Sequence, residues 1–110
     1  MTVVRVSAGA CGFEARVTAL RNDKVSVRIE LESNCESVED LGFMFEQLGA
    51  LEIKDILSTG EKKNRVLQLT ADALPHSACP VAVAIIKAAE VELDLNIPCP
   101  VSIEFESGTE

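Results

Sequence analysis

Strict alternation of apolar and polar side chains is the feature that most constrains the fold of this chain. It is clearest in residues 25–32, where valine, isoleucine and leucine at the odd positions are separated by serine, arginine and glutamate. Residues 13–19 repeat the pattern, and residues 2–7 follow it after Val4. A period of two puts every apolar side chain on one face of a strand. The pattern therefore predicts three strands, each with one face toward a core.

Two segments with a helical spacing of apolar residues follow the strands. Residues 33–48 open with a Ser-x-x-Glu pattern typical of a capping box, and Cys35 lies in the first turn of the predicted helix. Residues 64–74 predict a second helix, which Asn64 caps and Pro75 ends.

The most apolar helix is predicted to begin at a cysteine. Pro80 occupies the favoured first helical position, which makes Cys79 the N-cap of a helix running to about Leu93. Residues 81–86 carry no polar side chain, so the start of this helix is expected to be nearly enclosed. Backbone N–H groups at a helix N-terminus favour thiolate over thiol. Cys79, with the only histidine, His76, three residues before it, is thus the best single candidate for chemistry.

The remaining segments complete the predicted fold. Residues 50–57 suit a short strand or a short helix, and a strand is preferred. Residues 101–106 alternate again and predict a last strand after the Pro-Cys-Pro of residues 98–100. Strands with one apolar and one polar face indicate helices on one side only. The prediction is an α+β fold in a single domain, residues 1–110, with an antiparallel sheet of four or five strands and two or three helices packed on one face.

Strand direction predicts which cysteines meet. In an up-down-up meander the first and third strands finish at the same end of the sheet, and Cys11 and Cys35 follow those strands. If the helix of Cys79 begins at that end, three thiols and His76 come together, and Cys99 is left at the opposite end. Three thiols and an imidazole are the ligands of a Cys3His zinc site, or of an iron–sulfur cluster with one non-thiolate or open position. The sequence therefore predicts a metal site at Cys11, Cys35, Cys79 and His76.

Other interpretations of these residues remain open, since the sequence contains no C-x-x-C pair. The cysteines are inert core residues in the simplest of them. In a thiol redox protein or cysteine enzyme, Cys79 is activated by His76, and Cys11 or Cys35 is the resolving partner. In a non-catalytic assembly module, the apolar helix or an exposed strand edge packs against another chain, as a homo-oligomer or with a different protein.

Charge and composition exclude some classes of function. The net charge of −8 opposes binding to phosphate backbones, and tryptophan and tyrosine are absent, so nucleic acid is not an expected partner. The N-terminus has no basic segment followed by a long apolar run, so neither a signal peptide nor a membrane span is expected. We expect a cytoplasmic protein, in which four cysteines do not form a disulfide framework.

Several short motifs carry a resemblance to a known group of proteins. They are Cys-Gly-Phe at residues 11–13, His-x-x-Cys-Pro-Val at residues 76–81, and the segments 33–35 and 88–91. With these motifs the chain resembles, over almost its whole length, a family of small uncharacterised proteins from anaerobic bacteria and archaea. The resemblance implies no activity, but an anaerobic source implies conditions in which an oxygen-sensitive cluster survives.

Overall fold

A four-stranded antiparallel sheet is the centre of the fold in the computed structural model, which describes residues 1–58 and 64–107. Its strands are β1 (Thr2–Ser7), β2 (Glu14–Arg21), β3 (Ser26–Ser33) and β4 (Leu51–Glu52). Each strand pairs with the next one in the chain, so their order in the sheet is β1-β2-β3-β4. Val17 in β2 lies opposite Val4 in β1 and Leu31 in β3. The first three strands thus form the up-down-up meander on which the expected meeting of the cysteines depends.

Four helices accompany the sheet within these described residues: α1 (Glu36–Leu48), α2 (Ile53–Leu57), α3 (Arg65–Ala73) and α4 (Val81–Glu92). Helix α1 packs on β3, and α4 packs on β1 and β2. Ala15, Val17 and Ala19 on the helix side of β2 are buried, whereas Glu14 and Arg16 on the other side are exposed. The α+β class with an antiparallel sheet is therefore confirmed. No helix in the described parts of the chain is long and apolar enough to cross a membrane.

The core lies between the sheet and helices α1 and α4. Phe45 is the largest fully buried side chain, and Leu41 and Ile85 are buried with it. Helix α1 approaches β3 closely because position 42 is a glycine: a Cβ atom there would stand 3.2 Å from the Cβ of Leu31. This close approach packs the middle of α1 against the C-terminal part of β3.

Residues 51–57, after α1, are both strand and helix. Leu51 and Glu52 pair with β3, and the next five residues form α2, where the sequence favours a strand throughout. Asp55 accepts a hydrogen bond from the Glu52 backbone N–H at 2.9 Å, and the Glu52 side chain caps the helix in return. This local capping box ends the strand after two residues and starts the helix.

Asn64 caps α3, as the sequence predicts. Its Oδ1 accepts a hydrogen bond from the backbone N–H of Leu67 at 3.1 Å. Its Nδ2 donates to the carbonyl oxygen of Ile56 at 2.6 Å and to that of Ser58 at 3.3 Å. One buried amide therefore joins the start of α3 to the end of α2.

The last predicted strand is wrong. Residues 101–106 form no strand and pair with no strand of the described chain, and the exposed fractions of Val101, Ile103 and Phe105 are 56%, 87% and 100%. Alternation defines the two faces of a strand but supplies no neighbour for it. We call residues 97–106 the C-terminal arm.

Candidate functional site

Cys11 is held at the turn between β1 and β2. Residues 9–11 form one 3-10 turn, in which the Gly12 N–H donates to the Gly9 carbonyl at 2.9 Å. Both glycines have positive φ, +69° at Gly9 and +74° at Gly12, a conformation that residues with a side chain rarely adopt. The two glycines thus reverse the chain around Cys11 and leave its side chain exposed.

Cys35 stands at the junction of β3 and α1. It is the N-cap residue of α1, one position earlier than the first turn predicted for it. The predicted capping box is wrong, because the Ser33 hydroxyl accepts from the Cys35 N–H at 3.1 Å and donates to the Glu14 carbonyl at 2.7 Å. Ser33 therefore anchors the junction to the start of β2. The Cys35 side chain is half-buried and packs against the core.

Cys79 and His76 lie in the connection between α3 and α4. Helix α4 begins at Val81, so Pro80, and not Cys79 as predicted, precedes the first helical residue. The Cys79 N–H donates to the His76 carbonyl at 3.2 Å, which closes a turn between the two residues. Cys79 is half-buried against the core, and His76 is exposed.

These connections bring the four predicted residues to one open pocket of about 310 Å³. Cys11, Cys35, Cys79 and His76 all line it, as the strand directions predict. The rest of its lining is mainly apolar and comprises Gly12, Phe13, Asn34, Val38, Leu74 and Pro75. Cys99 is exposed in the C-terminal arm and is not part of this lining, but it lines a second groove to which Cys79 also contributes, so the two are not set apart as fully as the sequence predicts.

One pair within the pocket is in direct contact. The Cys11 Sγ lies 3.7 Å from the His76 Nδ1, a thiol–imidazole hydrogen bond whose direction depends on the tautomer of the ring. Among residues 1–58 and 64–107, no three His, Cys, Asp or Glu side chains lie close enough together to hold a metal ion as they stand. All four cysteines are free thiols. The pocket therefore contains one formed pair and two further thiols on its wall.

Sequence reasoning missed Asn34 as a residue of the site. Its side-chain Oδ1 accepts a hydrogen bond from the Glu14 backbone N–H at 3.1 Å, and the residue lines the pocket next to Cys35. An asparagine directly before a predicted helix is the signal that identifies such a bridge, because its side chain satisfies backbone donors nearby.

Comparison with known proteins gives a family and no activity. The sequence matches the Family of unknown function (DUF6951) over residues 2–105. No curated protein and no solved structure matches the chain. Because the match spans nearly all of the 110 residues, the chain belongs to DUF6951, a family of unknown function.

Proposed function

We propose that this protein binds one zinc ion through the thiolates of Cys11, Cys35 and Cys79 and the Nδ1 of His76. The observation that carries the proposal is the 3.7 Å contact between Cys11 and His76 in a pocket that the other two thiols also line. These residues are three of the four cysteines and the only histidine of the chain.

The contact has the dimensions of one edge of a zinc tetrahedron. Zinc bonds of about 2.3 Å to sulfur and about 2.1 Å to nitrogen, at the tetrahedral angle, hold the two ligand atoms about 3.6 Å apart. The observed Sγ to Nδ1 distance is 3.7 Å. Zinc binding therefore needs little change in the separation of Cys11 and His76.

The other two ligands must come closer on binding, since no third side chain is yet within range. Cys35 and Cys79 pack against the core, whereas Cys11 and His76 are exposed on connections between elements. On zinc binding, Cys11 and His76 would move toward Cys35 and Cys79, which their packing against the core holds in place. The ion would join the β1–β2 turn, the β3–α1 junction and the α3–α4 connection, which is the cross-linking role of structural zinc.

Zinc is favoured over an iron–sulfur cluster by the donor set. Three cysteines and one histidine are an ordinary structural zinc combination, whereas clusters are usually held by four thiolates. A cluster on the same three cysteines is the other metal outcome. It differs from zinc by visible absorption and by acid-labile sulfide after anaerobic purification.

A cobalt titration tests the proposal, because tetrahedral Co²⁺ reports its ligands by absorption. Reduced, metal-free protein should develop thiolate charge-transfer bands and intense d–d bands that saturate at one Co²⁺ per chain. The Cys11→Ser, Cys35→Ser and Cys79→Ser variants should each lose charge-transfer intensity. Cys99→Ser is the matched control, since that exposed thiol lies outside the pocket lining. Absence of these bands in the unmodified chain, or their loss only in Cys99→Ser, would refute the proposal.

The same contact favours a second candidate, a thiol function centred on Cys11 instead of Cys79. His76 Nδ1 can accept the proton of the Cys11 thiol directly, whereas its link to Cys79 is a backbone hydrogen bond. In metal-free protein Cys11 should then react with iodoacetamide faster than Cys99, and His76→Asn should abolish the difference. Equal rates for Cys11 and Cys99 would contradict this candidate.

A further inference from the structure

The outer edge of β1 is open. β1 is the first strand of the sheet, and no strand of the described chain pairs with its outer side. All six residues from Thr2 to Ser7 line a groove of about 690 Å³ that continues along α4, and residues 97–101 and Ile103 of the C-terminal arm also line it. An unpaired edge exposes backbone donors and acceptors to any extended chain that can reach it.

Apolar side chains flank this edge. Val83 of α4 lines the groove and has an exposed fraction of 50%, although the sequence predicts an enclosed start for this helix. Val4 on β1 is only partly buried. The surface beside β1 is therefore apolar and only partly covered.

The C-terminal arm has the complementary pattern. Val101, Ile103 and Phe105 alternate with polar residues, and all three are exposed. The arm leaves α4 through a fixed turn, in which Asp94 has a φ of 61° and the Leu95 N–H donates to the Glu90 carbonyl at 2.8 Å. Two prolines, at positions 98 and 100, then fix φ at their own positions, and the Cys99 N–H donates to the Ile97 carbonyl at 2.8 Å, which closes a tight turn at Pro98. Within one copy Val101 and Ile103 thus line the groove beside β1, but the arm does not pair with β1, and Ile103 and Phe105 stay 87% and 100% exposed.

Charge also matches between the arm and the edge strand. Arg5 lies directly opposite Arg16 of β2, which has Glu32 of β3 opposite it on its other side. Neither arginine forms an ion pair with any residue that the structure describes. Two like charges opposite each other destabilise a sheet. A carboxylate on the outer side of β1 would relieve this repulsion, and Glu104 is the acidic residue between Ile103 and Phe105.

We propose that the C-terminal arm of one copy adds as a fifth strand to β1 of a second copy, so that two copies exchange arms. The register that sets Glu104 beside Arg5 sets Ile103 and Phe105 beside Val4 and Val6, on the apolar side. Because the exchange is reciprocal, a dimer with two-fold symmetry pairs each open β1 edge with the arm of the other copy. It does not depend on the proposed zinc site.

Light scattering coupled to size-exclusion chromatography tests the exchange over a range of concentrations. The full chain should be a dimer that dissociates on dilution, and Ile103→Asp should be a monomer. Ser102→Asp adds the same charge to the other side of the arm and should remain a dimer. Because Ile103 is 87% exposed within one copy, its substitution should leave the circular dichroism of the monomer unchanged. A monomeric full chain at all concentrations, or a dimer that Ile103→Asp leaves intact, would overturn the proposal.

A charge exchange separates pairing between copies from pairing within one copy. Arg5→Glu and Glu104→Arg should each weaken the dimer by about tenfold, since each sets like charges side by side twice. Mixing the two variants should restore a dimer, because each arm then meets an opposite charge on the other copy. If the mixture dimerises no better than either variant alone, the arm does not pair between copies.

Discussion

The Sγ of Cys11 lies 3.7 Å from the Nδ1 of His76, although 65 positions separate the two residues in the chain. Two glycines with positive φ reverse the chain at Cys11, and Pro75 ends the helical segment just before His76. The pair is therefore a product of the folded sheet and not of a local motif. Its place in a pocket with Cys35 and Cys79 makes it the first element of the proposed zinc site.

Zinc should protect three cysteines from alkylation and leave the fourth reactive. In metal-free protein, Cys11 and Cys99 should react first because both are exposed, and Cys35 and Cys79 more slowly because they are half-buried. One equivalent of zinc should slow the alkylation of the three proposed ligands, Cys11, Cys35 and Cys79, by at least about tenfold, since a metal-bound thiolate is no longer free to react. Peptide mass spectrometry gives each rate separately. If Cys11 stays as reactive as Cys99 with zinc present, Cys11 is not a ligand.

Gly12→Ala should weaken the turn that carries Cys11. A Cβ atom at position 12 meets nothing within 4 Å, so the cost arises from the backbone φ of +74° alone and amounts to about 1 kcal/mol of unfolding free energy. Gly12→Asn is the matched variant and should cost less, because asparagine tolerates positive φ. Urea denaturation measures both. Equal losses for the two variants would show that backbone strain is not the cause.

Asn64 should contribute to stability through both ends of its amide. Asn64→Ala removes the cap of α3 and two donors to carbonyl oxygens, and we expect a loss of about 2 kcal/mol. Asn64→Ser retains an oxygen that caps the Leu67 N–H and should recover about half of that loss. Thermal and urea unfolding test the order. An Asn64→Ala variant with the same unfolding free energy as the unmodified chain would contradict the role of this residue.

Glu92 should make stability depend on pH. Burial raises the pKa of its carboxyl group, but hydrogen bonds from the Thr2 hydroxyl, the N-terminal ammonium group and the Arg21 backbone N–H outweigh burial and hold the pKa below 4.5. A carboxyl group with a lowered folded-state pKa stabilises the fold above its unfolded-state pKa and loses that effect as the pH falls through the folded value. The unfolding free energy of the unmodified chain should therefore exceed that of Glu92→Gln at pH 7. The difference should shrink as the pH falls below 4.5.

Urea denaturation of both proteins from pH 7 to pH 3 makes this comparison. Other carboxyl groups affect the two proteins alike, so the difference isolates Glu92. A difference that is unchanged across the range would mean that the Glu92 carboxylate is not stabilised by its hydrogen bonds.

The strands and the meeting of the cysteines could be predicted because both follow from simple periodicity. Alternation sets β1 to β3, and a meander of three strands brings the ends of β1 and β3, with Cys11 and Cys35, to the same end of the sheet. The start of α4 at that end completes the set with Cys79. Short elements were harder, since Leu51 and Glu52 form a strand only because β3 offers its free side.

Details that depend on side-chain partners could not be predicted. The Ser33 hydroxyl bonds to β2 instead of capping α1, because Glu14 lies beside it across the sheet. The His76 ring contacts Cys11 and not Cys79, which is a matter of rotamer. Ile103 and Phe105 have the pattern of a strand but no partner in the described chain, since a pattern does not specify which edge it pairs with.

X-ray absorption at the zinc edge is the most direct test of the central claim, that Cys11, Cys35, Cys79 and His76 form one zinc site. The protein loaded with one equivalent of zinc should show three sulfur neighbours at about 2.3 Å and one imidazole nitrogen at about 2.1 Å. His76→Asn should lose the imidazole scattering, and Cys99→Ser should give an unchanged spectrum. A shell of oxygen and nitrogen without sulfur, or a protein that retains no zinc, would contradict the account.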